Sequence, residues 1–200
     1  MDAKELVGKL HWLGHDSFRL EGPPVIYFDP WKLRDPQPVA DLVLVSHEHH
    51  DHCSPEDVQK VSGPDTVVVA AATAAERLPG ARAVRPGDRL TVAGVEIEAV
   101  RAYNVNKFRS PGMPFHPKEA EHVGFVVTVE GVRVYHTGDT DPIPEMADVA
   151  CDVALLPVSG TYVMTVEEAV EAARTLKPQI VVPMHYGSGI GTADDGQRLT

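Results

Sequence analysis

The stretch Val43-Leu44-Val45-Ser46-His47-Glu48-His49-His50-Asp51-His52 runs an apolar strand directly into a cluster of metal-ligating side chains. Leu42 to Val45 reads as a buried strand. In an extended chain alternate side chains share a face, so His47 and His49 project together and both imidazoles reach one ion. As the chain turns toward Ser54, Asp51 and His52 face a second ion beside the first. Imidazole and carboxylate without thiolate suit zinc, with manganese, iron or nickel as alternatives. A merely solvated loop does not require spaced ligand-type residues at the end of an apolar strand.

The rest of the chain is consistent with an enzyme of this kind. Its 200 residues, 43% hydrophobic and 24% charged, make one globular domain over 1–200 and exclude a disordered chain. With 18 basic against 29 acidic side chains the net charge is −11, which repels nucleic acid and anionic membrane surfaces. Two cysteines, Cys53 and Cys151, form no disulfide framework and read as free thiols. The longest apolar run, Val67 to Ala75, is far shorter than the ~20 residues that span a bilayer, and the N-terminus has no apolar signal region. A soluble, cytoplasmic protein is therefore expected.

Strand signals recur at Leu6–Leu13, Ser17–Leu20, Val25–Phe28, Leu42–Val45 and Val67–Ala70, and again at Arg89–Val92, Val95–Ala102, Val123–Glu130, Val132–His136, Val153–Pro157 and Gln179–Pro183. Ser54-Pro55-Glu56-Asp57 opens a helix just after the histidines, with a cap, a proline in the first turn and acids beside it. Residues 71–78 are alanine-rich and predict helix. Thr165-Val166-Glu167-Glu168 is a capping box for a helix that Lys177-Pro178 ends near Leu176. Between strands lies a long irregular segment, 103–121; loops of that length in a compact domain are usually functional. Two β-rich halves carrying helices fit an α/β sandwich.

Two further ligand types sit at strand ends: Asp139 in Thr137-Gly138-Asp139, and His185 after Val181-Val182-Pro183-Met184. Together with Leu13-Gly14-His15-Asp16-Ser17-Phe18, Phe28-Asp29-Pro30 and the histidine stretch, these segments resemble the metallo-β-lactamase superfamily, and within it the UlaG-like metal-dependent hydrolases. The resemblance implies a four-layer αβ/βα sandwich with two divalent metal ions at one edge. It implies that His47, His49 and one further histidine bind the first ion, that Asp51, His52 and His185 bind the second, and that Asp139 bridges them. Many UlaG-like members supply the further histidine from an Ala-x-His step, where this chain has Ala102-Tyr103-Asn104. His116 is the expected replacement, His122 the second candidate, and a site lacking this ligand the third.

Other side chains carry weaker expectations. Asp29 orients the histidine loop rather than binding metal. His15, Asn104 and Tyr186 are candidates for the substrate pocket. His136 reads as a packed strand residue, Cys53 as a non-ligand, and His50 as pointing away from the His47/His49 face. Segment 101–118 holds Arg101, Lys107, Arg109 and Lys118 and no acid, so Lys107 is a candidate for holding a substrate anion.

The function these features imply is hydrolysis by a metal-bridging hydroxide, with Asp51 orienting it or accepting its proton. UlaG-like relatives include a lactonase acting on a sugar-acid phosphate and others that resemble phosphodiesterases. A small, anionic ester, lactone or phosphodiester is the expected substrate. β-Lactam and RNA hydrolysis are not expected. No Gly-x-Ser-x-Gly elbow supports serine hydrolysis, and Gly187-Ser188-Gly189 is no substitute. The alternative is a non-catalytic metal-binding or sensing protein of the same fold.

Overall fold

A computed structural model describes residues 1–34, 36–187 and 189–199, so Ser188 lies outside the described residues. The first half comprises α1 (Ala3–Val7), β1 (Leu10–Gly14), β2 (Ser17–Leu20), β3 (Ile26–Phe28), β4 (Ala40–Val45), α2 (Pro55–Val61), β5 (Ser62–Ala71), α3 (Ala72–Ala75) and β6 (Arg82–Val84). The second comprises β7 (Arg89–Val92), β8 (Val95–Arg101), β9 (Phe108–Ser110), β10 (Met113–Pro114), β11 (Val123–Val129), β12 (Val132–His136), β13 (Val153–Pro157), α4 (Val166–Leu176), β14 (Ile180–Met184) and α5 (Ala193–Leu199). Two six-stranded sheets result, ordered β1-β2-β3-β4-β5-β6 and β14-β13-β12-β11-β8-β7.

Side-chain alternation assembles the layers. Along β11, Val123, Phe125 and Val127 enter the core that also holds Phe18, Leu42 and Leu44 of the first sheet. Val126 points the other way, into a second cluster with Ala154, Leu156 and the buried face of α4, Ala169 and Ala172. Period-two strands thus cover both faces of the second sheet. Helices α2 and α3 contribute Val58, Val61 and Ala74 on the first sheet. This is the expected mixed α/β sandwich.

Local chemistry sets the elements. Ser54 caps α2 by accepting from the Asp57 N–H, with Pro55 in the first turn. Thr165 and Glu168 form the reciprocal capping box of α4, which stops at Lys177 in a left-handed conformation, φ 53°. Four expectations shift. Leu6 and Val7 belong to α1, because Asp2 and Glu5 make a capping box there. The alanine-rich helix shrinks to Ala72–Ala75, since parallel pairing of β5 with β4 extends through Ala70. Segment 103–121 contains the small β9–β10 hairpin. Strand β6 and helix α5 had no sequence signal of their own.

The strands that matter for chemistry end together. β3, β4 and β5 are mutually parallel, as are β12, β13 and β14. Their carboxyl ends release the loops bearing Asp29, His47–His52, Asp139, Ser159 and His185 at one edge, where open α/β sheets place ligand sites.

Candidate metal centre

Asp29 is the post around which the histidine loop is wound. Its Oδ1 accepts the Ser46 N–H at 2.7 Å, and its Oδ2 accepts from Ser46 Oγ at 2.6 Å and from His52 Nδ1 at 2.8 Å. That is the orienting role expected from the sequence. The Asp139 loop approaches from the other sheet through Gly138, at φ +60°, where an added Cβ would sit 3.0 Å from the Val123 carbonyl oxygen and 3.1 Å from Ser46 Cβ. Both the backbone region and the space require glycine there.

Three ring nitrogens converge beside Asp139. His49 Nδ1 lies 3.1 Å from His47 Nε2 and 3.2 Å from His116 Nε2, and Asp139 Oδ2 lies 3.2 Å from His116 Nε2. Asn104 Oδ1 accepts both the His116 N–H at 2.8 Å and its Nδ1–H at 2.9 Å, so the His116 Nε2 is turned inward. Ser46 Oγ, already donating to Asp29, takes the Nδ1 side of His47 at 3.0 Å. Ring nitrogens converging at this spacing fit a cation: zinc–nitrogen bonds of about 2.0–2.1 Å place tetrahedral ligands roughly 3.3–3.4 Å apart. Of the two candidates, it is His116 that is grouped with His47, His49 and Asp139. His122 instead has its Nε2 3.0 Å from Glu48 Oε2.

A second group of donors lies on the buried side. Asp139 Oδ1 is 3.3 Å from His52 Nε2, and Asp139 Oδ2 is 3.3 Å from His185 Nε2. Ser159 Oγ holds His185 Nδ1 at 2.8 Å. The Nε2 atoms of His52 and His185 and the Oδ1 of Asp139 are buried without a hydrogen bond, as are both carboxylate oxygens of Asp16. Orphaned polar atoms in such number fit ions rather than a finished protein core. Four atoms from His15, Asp16, His52 and His185 lie within 4.8 Å of one another, as do four from His47, His49, His116 and Asp139. Asp51 belongs to neither group; its Oδ2 lies 3.2 Å from His15 Nε2.

The two groups differ electrostatically. Burial drives the His47 imidazole well below its ordinary range, with the neighbouring His52 adding to it, and burial and His116 bring His49 down to about 4. Burial also works against the cations of His52 and His185, but carboxylates outweigh it. Asp139 and Asp29 push His52 well up, while Asp139 and Asp16 raise His185 to about 9. Asp139 itself is held low: burial favours its neutral form, and His185 and His52 overcome that.

A cleft of about 290 Å³ opens over the first group, lined by His49, His50, Asp51, Arg109, Phe115, His116, Asp139, Tyr162 and Ile190. Arg109 stacks over the Phe115 ring at 5.5 Å, and Phe115 meets Tyr162 edge-on at 4.7 Å. Three residues expected at the substrate are elsewhere. Lys107 reaches Glu168 at 2.6 Å and Asp141 at 3.6 Å, acids from distant segments that an acid-free local sequence conceals. Tyr186 stacks on Trp12 at 4.7 Å, and Asn104 sits behind His116. His15 lies between Asp16 and Asp51, 3.5 and 3.2 Å from their Oδ2 atoms. His136 is packed flat on Phe28 as expected, 5.2 Å between centroids. His50, expected to point away, lines the rim of the cleft. Cys53 and Cys151 are free thiols. Arg109, Asp16, Ser46 and Ser159 had not been singled out; for Asp16 the available signal was an acid in the turn after β1.

Residues 9–185 match the family model described as the beta-lactamase superfamily domain, and the chain belongs to that family, the metallo-β-lactamase superfamily. Within it, the chain is 34% identical over 198 residues to the UPF0173 metal-dependent hydrolase of Thermoplasma acidophilum, covering 90% of this chain and 84% of the relative. A Parabacteroides distasonis crystal structure assigned as a metal-dependent hydrolase superposes with a TM-score of 0.81 at 35% identity, covering 92% of this chain and 90% of that one. A Thermotoga maritima structure assigned as a Zn-dependent hydrolase of the same superfamily gives 0.65 at 30% identity, covering 96% and 84%. Metal-dependent hydrolysis is the chemistry that these relatives carry. Among the described residues no helix is long and apolar enough to cross a membrane.

Proposed function

We propose that the protein hydrolyses a small anionic ester, lactone or phosphodiester with two divalent cations, zinc first among them. His47, His49 and His116 would hold the first ion and His52 and His185 the second, with Asp139 within reach of both and Asp51 on the cleft side. Bound divalent cations acidify a coordinated water and polarise the substrate oxygen. The observation that carries the reading is the cleft itself, where His49, His116 and Asp139 share one wall system with Arg109, Phe115 and Tyr162.

Within that cleft each side chain has a task. Asp51 is kept ionised: burial opposes it, but the hydrogen bond from His15 prevails, so it is a standing acceptor that can orient an attacking water. Arg109 has no acidic partner among the described residues and is set over Phe115; it binds the substrate's anionic group, with Tyr162 and Ile190 against the apolar part. Lys107 anchors its loop to α4 instead.

The test assays hydrolysis of phosphodiester and lactone panels before and after chelation, with Arg109→Ala and Lys107→Ala. Arg109→Ala is expected to raise KM for an anionic substrate by about tenfold, the equivalent of one charge-assisted hydrogen bond, with kcat little changed. Lys107→Ala should leave KM alone. Stoichiometric metal with no turnover across the panels would replace this reading with a non-catalytic metal-binding protein.

A further inference from the structure

Asp16 occupies the turn between β1 and β2, whose backbone is fixed on three sides. The His136 ring donates to the Asp16 carbonyl at 2.9 Å. The adjoining His15 carbonyl accepts from the Trp12 indole at 2.9 Å and from the His185 N–H at 3.2 Å. His15 itself takes a left-handed φ of 54°, a conformation that costs energy in a residue with a side chain. The effect is to drive the Asp16 side chain inward, where it is 0% exposed and neither oxygen has a hydrogen bond.

We propose that Asp16 is a ligand of the second metal ion, completing from the buried side the set of His52, His185 and Asp139. This inference rests on the two-cation reading above and adds a ligand to it. Asp16 Oδ2 stands 3.5 Å from His52 Nε2, 3.5 Å from His15 Nε2 and 3.9 Å from His185 Nε2. These separations are too long for hydrogen bonds, but they approach the spacing of donors arranged around one small ion.

The competing role, a carboxylate that merely orients the histidines, is already filled. Asp29 fixes His52 through Nδ1 and Ser159 fixes His185 through Nδ1, so the two Nε2 atoms are aimed without help from Asp16. The imidazoles facing Asp16 stand beyond hydrogen-bond contact, so the buried carboxylate lacks a close partner, and an ion seated between them would supply one. With Asp16 on the inner side, Asp51 is held by His15 on the cleft side.

The experiment titrates metal-stripped full-length protein with Mn2+ alone and with Zn2+ alone, following heat and metal content, and records the Mn2+ EPR spectrum. Wild type is expected to take up two equivalents, with the spectrum of a coupled pair. Asp16→Asn is expected to bind its second equivalent at least tenfold more weakly and to give the spectrum of isolated Mn2+. Melting in chelator separates folding from binding: Asp16→Asn should melt within a few degrees of wild type, because the Asp16 oxygens make no hydrogen bond that the amide would lose. Two full-affinity equivalents in Asp16→Asn would overturn the assignment while leaving the two-cation reading standing, and so would a melt far below wild type in chelator. A wild-type protein that takes up fewer than two equivalents would overturn both.

Discussion

The two halves of the centre are built from nearly the same residue types and do opposite things with them. In the first, three imidazoles face one another across 3.1 and 3.2 Å, and burial keeps His47 and His49 neutral. In the second, two imidazoles face two buried carboxylates, Asp16 and Asp139, and are held in their protonated forms. What decides the difference is the ratio of carboxylate to imidazole within reach, not burial, since every ring nitrogen involved is sheltered except the half-buried His49. A neutral, nitrogen-rich set is ready for zinc, whereas a carboxylate-bearing set favours a harder ion and must give up protons to receive it.

Asp139 is common to both halves, so changing it should have the largest effect. Asp139→Asn removes the charge shared by His116, His52 and His185 and is expected to abolish binding of one equivalent and weaken the other. Turnover should fall by at least about 10²–10³-fold, the scale for removing one electrostatic stabiliser. Metal analysis of the purified variant beside its kinetics checks this. Normal content of both ions would mean that the halves are independent.

The next effects come from residues that touch one half only. Asn104→Ala frees the His116 ring from its acceptor, and Asp29→Asn does the same for His52. Loss of such an outer partner typically lowers metal affinity by about 10–100-fold. The expected result is selective: Asn104→Ala weakens the first ion and Asp29→Asn the second, read as two separate binding constants. Equal loss at both ions in either variant would break the division drawn here.

Much of this candidate centre was legible because its histidines and carboxylate stand at strand ends. His47, His49 and His52 follow the apolar run of β4 in one continuous stretch, and Asp139 and His185 close β12 and β14 in the same way. Where the signal failed, the deciding contact was distant in sequence. Lys107 looked free because residues 101–118 contain no acid, yet Glu168 and Asp141 come to it through the fold. Arg109 looked equivalent to it and is the cation that faces the cleft. Asp16 was hidden by its neighbour His15: a lone acid in a turn reads as surface, and only the packing of β1 against the β14 end reveals that it points inward.

The smallest effect should be visible in the metal-stripped protein as a stability optimum in pH. For His49 the folded value of about 4 lies below the unfolded ~6.5, so the unfolded chain binds more protons in that window and stability rises with pH from about 4 to ~6.5. His185 has the opposite sign. Its folded value of about 9 exceeds the unfolded ~6.5, so its contribution is complete below ~6.5 and is lost as pH rises through about 9. Melting temperature should therefore peak near pH ~6.5 and fall on either side by up to about ten degrees, since one pKa unit is worth ~1.4 kcal/mol and ~1 kcal/mol moves Tm by about 2–4 °C in a domain of this size. Refilling the centre replaces the His185 proton with an ion, so the alkaline decline should flatten while the acid limb persists. A stripped protein whose Tm climbs steadily from pH 5 to 9 would show that the carboxylates of the second half do not hold its histidines protonated, and the contrast between the halves would fail.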